Sequence, residues 1–121
     1  MARVSKGAVG EVLAARYLRE KGYTIESANY RCRFGEIDII ASDGTYIVFV
    51  EVKTRAENSL YQPREAVTQM KQRRIVKTAK MFLWQHPTKL QPRFDVIEVV
   101  TAVGRPMTLV RLEHLENAHG G

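Results

Sequence analysis

The stretch Gly35-Glu36-Ile37-Asp38-Ile39-Ile40-Ala41-Ser42, followed by Asp43-Gly44-Thr45 and then Tyr46-Ile47-Val48-Phe49-Val50-Glu51-Val52-Lys53-Thr54, decides the fold. Both flanking runs are rich in Ile and Val, and Asp43-Gly44 between them is a strong hairpin signal, so residues 36–41 and 46–54 are predicted as paired antiparallel strands. A two-residue turn at Asp43-Gly44 sets Glu36 opposite Glu51 and Asp38 opposite Phe49. Asp38 and Glu51 are then diagonal neighbours, about 7 to 8 Å apart at the backbone. Side chains alternate with period two, so one face carries Ile37, Ile39, Ala41, Val48, Val50 and Val52 and is suited to packing on a helix. The other carries Glu36, Asp38, Glu51 and Lys53, with Ile40, Ile47 and Phe49 nearer the turn. Any loop of even length keeps these faces; a bulge would split the acids.

Charged residues alternating with Val and Ile commonly mark the wet face of a half-buried sheet. Here Ile40 and Phe49 on the same face suggest partial cover, and covered carboxylates need a partner or a metal. Lys53 supplies such a partner by salt bridge; a divalent cation shared between Asp38 and Glu51 is the other reading.

Working outward, Ser5 caps a predicted helix over residues 6–21, which Gly22 ends. Residues 24–30 alternate weakly, as an edge strand does. Thr68 caps a long helix reaching about Gln85, where His86-Pro87 stops it. Along it Ile75, Val76, Ala79, Phe82 and Leu83 form a core stripe, while Arg73, Lys77, Lys80 and Trp84 form a separate row. Residues 94–101 read as a central strand and residues 107–112 as a shorter last one. The order is helix, three strands, helix, two strands. In the first helix Glu11 has Gly7, Ala8, Ala14, Ala15 and Leu18 as neighbours, so it lies on a small, apolar side from which it can reach past them toward acids on the sheet, as a direct or water-mediated metal ligand. Most helical glutamates are simply solvated.

With 121 residues, 45% hydrophobic and 26% charged, and with 8 Gly and 4 Pro, the chain falls among globular proteins; one domain over residues 1–121 is expected, loose only from Asn117 onward. Cys32 is the sole cysteine, which excludes an internal disulfide and an all-cysteine zinc site. His86, His114 and His119 are scattered at surface-like positions without ligand spacing. The longest apolar run is far short of the ~20 residues that span a bilayer, and no signal-peptide stretch is present, so a soluble cytoplasmic protein is expected. Net charge is +6. Residues 64–93 concentrate it, holding Arg64, Lys71, Arg73, Arg74, Lys77, Lys80, Lys89 and Arg93 against Glu65 alone. An isolated positive segment on a balanced body is the footprint of a polyanion-binding protein, DNA among the candidates; a solvated helix face is the plainer reading.

Gly35-Glu36-Ile37-Asp38 followed by Val50-Glu51-Val52-Lys53 resembles the second and third motifs of the PD-(D/E)XK nuclease superfamily. Gly7, Gly10-Glu11, Tyr17-Leu18, the GEIDII and FVEVKTR segments, Glu65-Ala66-Val67, Lys71, Arg93-Phe94-Asp95 and Asn117-Ala118 resemble more narrowly the YraN-like family of uncharacterised bacterial proteins, which is related to archaeal Holliday-junction resolvases. Ile37 stands where the superfamily's name has proline, and Gln62 where glycine is expected. The resemblance implies an α/β fold with a restriction-endonuclease-like core and a mixed central sheet. It also implies a Mg²⁺- or Mn²⁺-dependent endodeoxyribonuclease acting on branched or junction DNA, two-fold dimers being the default among junction-cutting relatives. In that chemistry Asp38 and Glu51 hold the metal with the carbonyl of Val52, Glu11 binds it through water or holds a second ion, and Lys53 orients or activates the attacking water or neutralises the phosphate. Lys71 reaches the phosphate from the second helix, and Arg73, Arg74, Lys77 and Lys80 bind nucleic acid. Glu36 is an accessory or structural partner and Asp95 structural. Two other classes remain open: a non-catalytic nucleic-acid-binding module that keeps the fold, and an assembly protein whose acidic pocket holds a structural metal.

Overall fold

The computed structural model describes residues 6–58 and 68–118. The elements follow in the order α1 (Lys6–Glu20), β1 (Thr24–Cys32), β2 (Gly35–Ser42), β3 (Tyr46–Ala56), α2 (Gln69–Gln85), β4 (Gln91–Ala102) and β5 (Arg105–Leu115). They build one mixed sheet in the order β1-β2-β3-β4-β5. Its pairs are antiparallel except β3 with β4, which run parallel because α2 carries the chain back across the sheet.

The Val-, Ile- and Phe-rich alternation of β3 feeds both faces of this sheet. Val48 and Val50 join Ile39, Ala41, Ile97 and Val99 under Val9, Leu13, Ala14 and Leu18 of α1. Ile47 and Phe49 join Ile40 under Ile75, Ala79 and Phe82 of α2. Two layers of helix thus enclose the sheet, and the face that carries the acids is the one α2 covers. Gly10 permits the close approach of α1, since a Cβ there would run into the Thr54 side chain of β3. Gly22, at φ +97°, ends α1 as expected, with the Tyr23 N–H donating to the Leu18 carbonyl at 3.0 Å. Thr68 caps α2 as expected, its side chain accepting from the Lys71 N–H at 3.2 Å. The expected Ser5 cap and the Gln62 position lie outside the described residues.

The hairpin register differs from expectation. Ile39 pairs with Val50 and Ser42 with Ile47, so four residues close the loop. The cause is Asp43, whose Oδ1 accepts from the N–H groups of Thr45 at 2.8 Å and Tyr46 at 2.7 Å. The loop stays even, so the paired residues keep their faces, but Phe49 pairs with Ile40 and not with Asp38, and the ladder stops at Ile39 and Val50. A second difference is Ile37, which packs with the α2 cluster while Ile39 packs with the α1 cluster. Alternation slips at Asp38, where the Val52 N–H donates to the Asp38 carboxylate at 2.8 Å instead of continuing the ladder. Asn117 and Ala118, expected to be loose, are tied down: their N–H groups donate to Asp95 Oδ1 at 2.9 Å and to the Phe94 carbonyl at 2.8 Å. No helix among the described residues is long and apolar enough to cross a membrane.

Candidate active site

Asp38, Glu51 and Lys53 are brought together where β2 and β3 pass beneath the first turns of α2. Gly35, Glu36, Asp38, Glu51, Thr68, Met70, Lys71, Arg74 and Ile75 line a hollow of about 450 Å³ there. Gly35 sits at φ +151°, and a side chain at this position would come within 3.2 Å of Thr78 Oγ1, so this glycine lets the strand enter the hollow directly under α2.

Glu51 is buried, and its Oε1 receives two ammonium groups, Lys71 Nζ at 2.6 Å and Lys53 Nζ at 3.0 Å. Among the described residues no cation forms a salt bridge with Asp38. Burial, reinforced by the neighbouring Glu51 charge, pushes its carboxyl up to about 7, against the opposing hydrogen bond from Val52. Burial also lowers Lys53, helped by the adjacent Lys71 ammonium and opposed by Glu51. Lys71 goes the other way: burial depresses it, but its contact with Glu51 outweighs that and holds it above the ordinary lysine value. The outcome is a carboxyl that resists charging on one side of Glu51 and, paired with Glu51, an ammonium held below the ordinary lysine value. Opposed shifts among neighbouring groups cluster at functional sites and also arise in structural ion-pair networks.

This donor set fits a hard divalent cation. Two carboxylates are the usual protein contribution to a Mg²⁺ site, and an Asp38 held near half-protonation at neutral pH is a group whose charge a cation would stabilise. Glu11 is not brought in as a third ligand. Among the described residues no group of three or more His, Cys, Asp or Glu side chains is placed to hold an ion. Glu11 is instead hydrogen-bonded to Asn29, and it lines a separate hollow with Ala8, Arg16, Arg19 and Ile39. It feels Glu51 only through its field, and burial raises its carboxyl further. Glu36 lies at the rim, paired with Arg31 at 2.8 Å.

The basic residues of α2 divide between two sides. Lys71 and Arg74 face the carboxylate hollow, while Arg73, Lys77 and Lys80 line another of about 470 Å³ with Gln69, Val76 and Phe94. One neighbour of the site was not picked out in the sequence. Glu98 is buried and pairs in register with Lys53 across β3 and β4, its signal being an acid flanked by Val96-Ile97 and Val99-Val100 in β4.

His114 also departs from expectation. Its ring is buried, with Nε2 2.7 Å from Asp95 Oδ2 and Nδ1 2.9 Å from the Tyr17 hydroxyl. Asp95 is fully buried and accepts further bonds from Arg93 at 2.9 and 3.0 Å, while Arg93 donates to the Tyr23 hydroxyl at 2.7 Å. This network pins α1 to β4 and β5 on the face opposite the acids, which fits the structural reading of Asp95.

A five-stranded mixed sheet between two helices, with acids and a lysine on its central hairpin, defines an α/β protein with a restriction-endonuclease-like core. The profile of the uncharacterised protein family UPF0102 matches residues 10–99, and the chain belongs to that family. It is 46% identical to a UPF0102 protein of Caldanaerobacter subterraneus subsp. tengcongensis over 98% of this chain and 99% of the relative. It is 48% identical to a UPF0102 protein of Clostridium botulinum (strain Loch Maree / Type A3) over 78% of each.

Proposed function

We propose that this protein is a metal-dependent nuclease that hydrolyses phosphodiesters of DNA, with branched or junction DNA as its substrate. The observation that carries the reading is that Asp38 and Glu51 line one hollow with Lys71 and Arg74 from the start of α2, while Lys53 Nζ reaches Glu51 at 3.0 Å. A pure binder gains nothing from acids facing phosphates, which they repel.

Asp38 and Glu51 would hold Mg²⁺ or Mn²⁺, and Val52 would add its carbonyl, which leaves the strand on the same edge as the N–H that meets Asp38. When bound, the ion supplies Lewis-acid stabilisation of phosphate charge and a more acidic water. Lys53, held below the ordinary lysine value by burial, orients the attacking water, and its neutral form, once the ammonium has given a proton to solvent, takes that water's proton on Nζ. Lys71 moves from Glu51 to the phosphate, where its charge opposes the growing negative charge on the oxygens. Arg74 holds the strand at the mouth, and Arg73, Lys77 and Lys80 bind neighbouring backbone phosphates.

A binding module without chemistry is the second reading, favoured by the two lysines that already neutralise Glu51. Incubation of the purified protein with a four-way junction, a flap and a linear duplex, with and without Mg²⁺ or Mn²⁺, separates the two. Metal-dependent cutting of the branched substrates supports the nuclease; tight DNA binding without cutting in either metal supports the module.

A further inference from the structure

The row Arg73, Lys77, Lys80 and Trp84 ends in a feature that phosphate binding does not use. Trp84, the sole tryptophan of the chain, is 79% exposed on α2. It forms a hollow of about 470 Å³ with Phe34, Lys77, Lys80 and Met81, and the Arg33 guanidinium lies 4.9 Å from the centre of the Phe34 ring. A large aromatic face left in water on an otherwise charged helix surface marks a contact site. No carboxylate is among the described residues that line it.

We propose that this shelf seats an unpaired nucleobase, so that the DNA bound by this protein carries a single-stranded segment running along α2 from the carboxylate hollow. The inference deepens the nuclease reading and rests on it. The apolar floor of Phe34, Met81 and Trp84 offers faces on which any base can stack, and Lys77, Lys80 and Arg33 at its edge are placed for the flanking phosphates. The two hollows adjoin: Phe34 lines one and the next residue, Gly35, lines the other, while Arg74 and Lys77 stand on the same and following turns of α2. From Lys71 to Trp84 the helix rises about 20 Å, a path with basic side chains throughout. A polyanion complements this rim. A second copy of the chain, itself at +6, brings like charge to it.

The single tryptophan makes the test direct. With EDTA present, so that cutting plays no part, the protein is titrated at low salt with a single-stranded oligodeoxyadenylate, a blunt duplex and heparin, reading tryptophan emission and affinity. The single strand is expected to quench the emission saturably, and heparin, which has no bases, to leave it nearly unchanged. Trp84→Ala is expected to bind the single strand roughly tenfold or more weakly, and Trp84→Phe to retain most of the affinity, with circular dichroism confirming that both fold. Equal quenching by heparin, or unchanged single-strand affinity in Trp84→Ala, overturns the proposal. So does a doubling of mass in sedimentation that Trp84→Ala abolishes, which would assign the shelf to a second copy. Quenching by single strands in a protein that never cuts DNA keeps the shelf and removes the nuclease; metal-dependent cutting without quenching does the reverse.

Discussion

Lys71 Nζ lies 2.6 Å from Glu51 Oε1, the same oxygen that Lys53 Nζ meets at 3.0 Å. One carboxylate oxygen from the sheet therefore anchors the first turn of the second helix, and any cation that takes Glu51 as ligand competes with an ammonium already there. Lys71→Ala is expected to tighten Mn²⁺ or Mg²⁺ binding at pH 8 by roughly tenfold, the order of one charge–charge interaction in a partly screened site. DNA binding by the same variant weakens. Isothermal calorimetry with each metal checks this; weaker metal binding in Lys71→Ala would place Lys71 as a support of the site rather than a competitor.

Asp38 makes stability depend on pH with a definite sign. Its carboxyl sits at about 7 in the fold against about 3.9 in an unfolded chain, so between those values the folded state binds the extra proton. Stability then falls as pH rises through that window, and the whole penalty is present above pH 7. Asp38→Asn, which still accepts from Val52, is expected to raise stability at pH 8 by on the order of 1–2 kcal/mol after allowance for solvent screening, and to change little at pH 4. Millimolar Mg²⁺ or Mn²⁺ should raise the melting temperature of the wild type by mass action, about 1.4 kcal/mol at ten times Kd, and leave Asp38→Asn unmoved. Calorimetry at the two pH values decides it, and a wild-type melting temperature indifferent to millimolar metal would argue against the site.

The elements, and the faces of the hairpin from Ile39 to Val50, were legible in the sequence because period and branching fix them locally. The shifted register, with Ile40 and not Asp38 opposite Phe49, was not, since it depends on the Asp43 side chain capturing two N–H groups and lengthening the loop. Ile37 was assigned to the wrong layer because a side chain, Asp38, replaces a backbone acceptor, which no alternation rule reports. His114 looked like a surface residue because its partner Tyr17 is 97 positions away and appears only once α1 docks. The reach of Lys71 to Glu51 likewise follows from where the crossover lays α2 on the sheet. Local pattern located the acids; their partners are tertiary.

The basic row of α2 gives a prediction that cutting does not affect. Replacing Arg73, Lys77 and Lys80 with Gln should weaken duplex binding at every sequence and reduce the salt slope by roughly one unit for each phosphate no longer neutralised. Fluorescence anisotropy across a salt series measures it. An unchanged slope would mean that these exposed cations are only a solvated face.

The Asp95 network carries a stability prediction. Burial alone would raise the Asp95 carboxyl, but bonds from His114, Arg93 and the Asn117 N–H outweigh it and hold it below the usual carboxylate range. A depressed carboxylate contributes stability above its unfolded pKa near 4 and loses it as pH falls through the folded value. Asp95→Asn, which takes away the closest anionic partner of the buried Arg93 charge and leaves it only the half-exposed Glu116 at 3.4 Å, is therefore expected to cost about 3 kcal/mol at pH 7. The gap to wild type should narrow below about pH 4. Urea unfolding at pH 7 and pH 3.5 tests both halves; a loss independent of pH would mean that hydrogen-bond shape alone, not charge, matters there.

The chemistry itself is tested at Glu51 and Lys53. Phosphoryl transfer at this site would rest on the placement of one ion by carboxylates and on one lysine held below its ordinary value, with no nucleophilic side chain to share the burden. Glu51→Ala and Lys53→Ala are each expected to abolish metal-dependent cutting of a four-way junction or flap, a loss of at least about 10²-fold in rate. DNA binding should persist in both variants, and in Glu51→Ala it should tighten, because an acid that repels phosphate is gone and Lys71 is released toward the strand. The split between rate and affinity matters more than the loss of rate alone, since a merely unfolded variant would lose both. Gel assays of cleavage beside anisotropy measurements of binding, on the same preparations, report the two quantities. Cutting at the wild-type rate by purified Lys53→Ala, with contaminating nuclease excluded by a mock preparation, would remove Lys53 from the reaction and the proposed proton route with it.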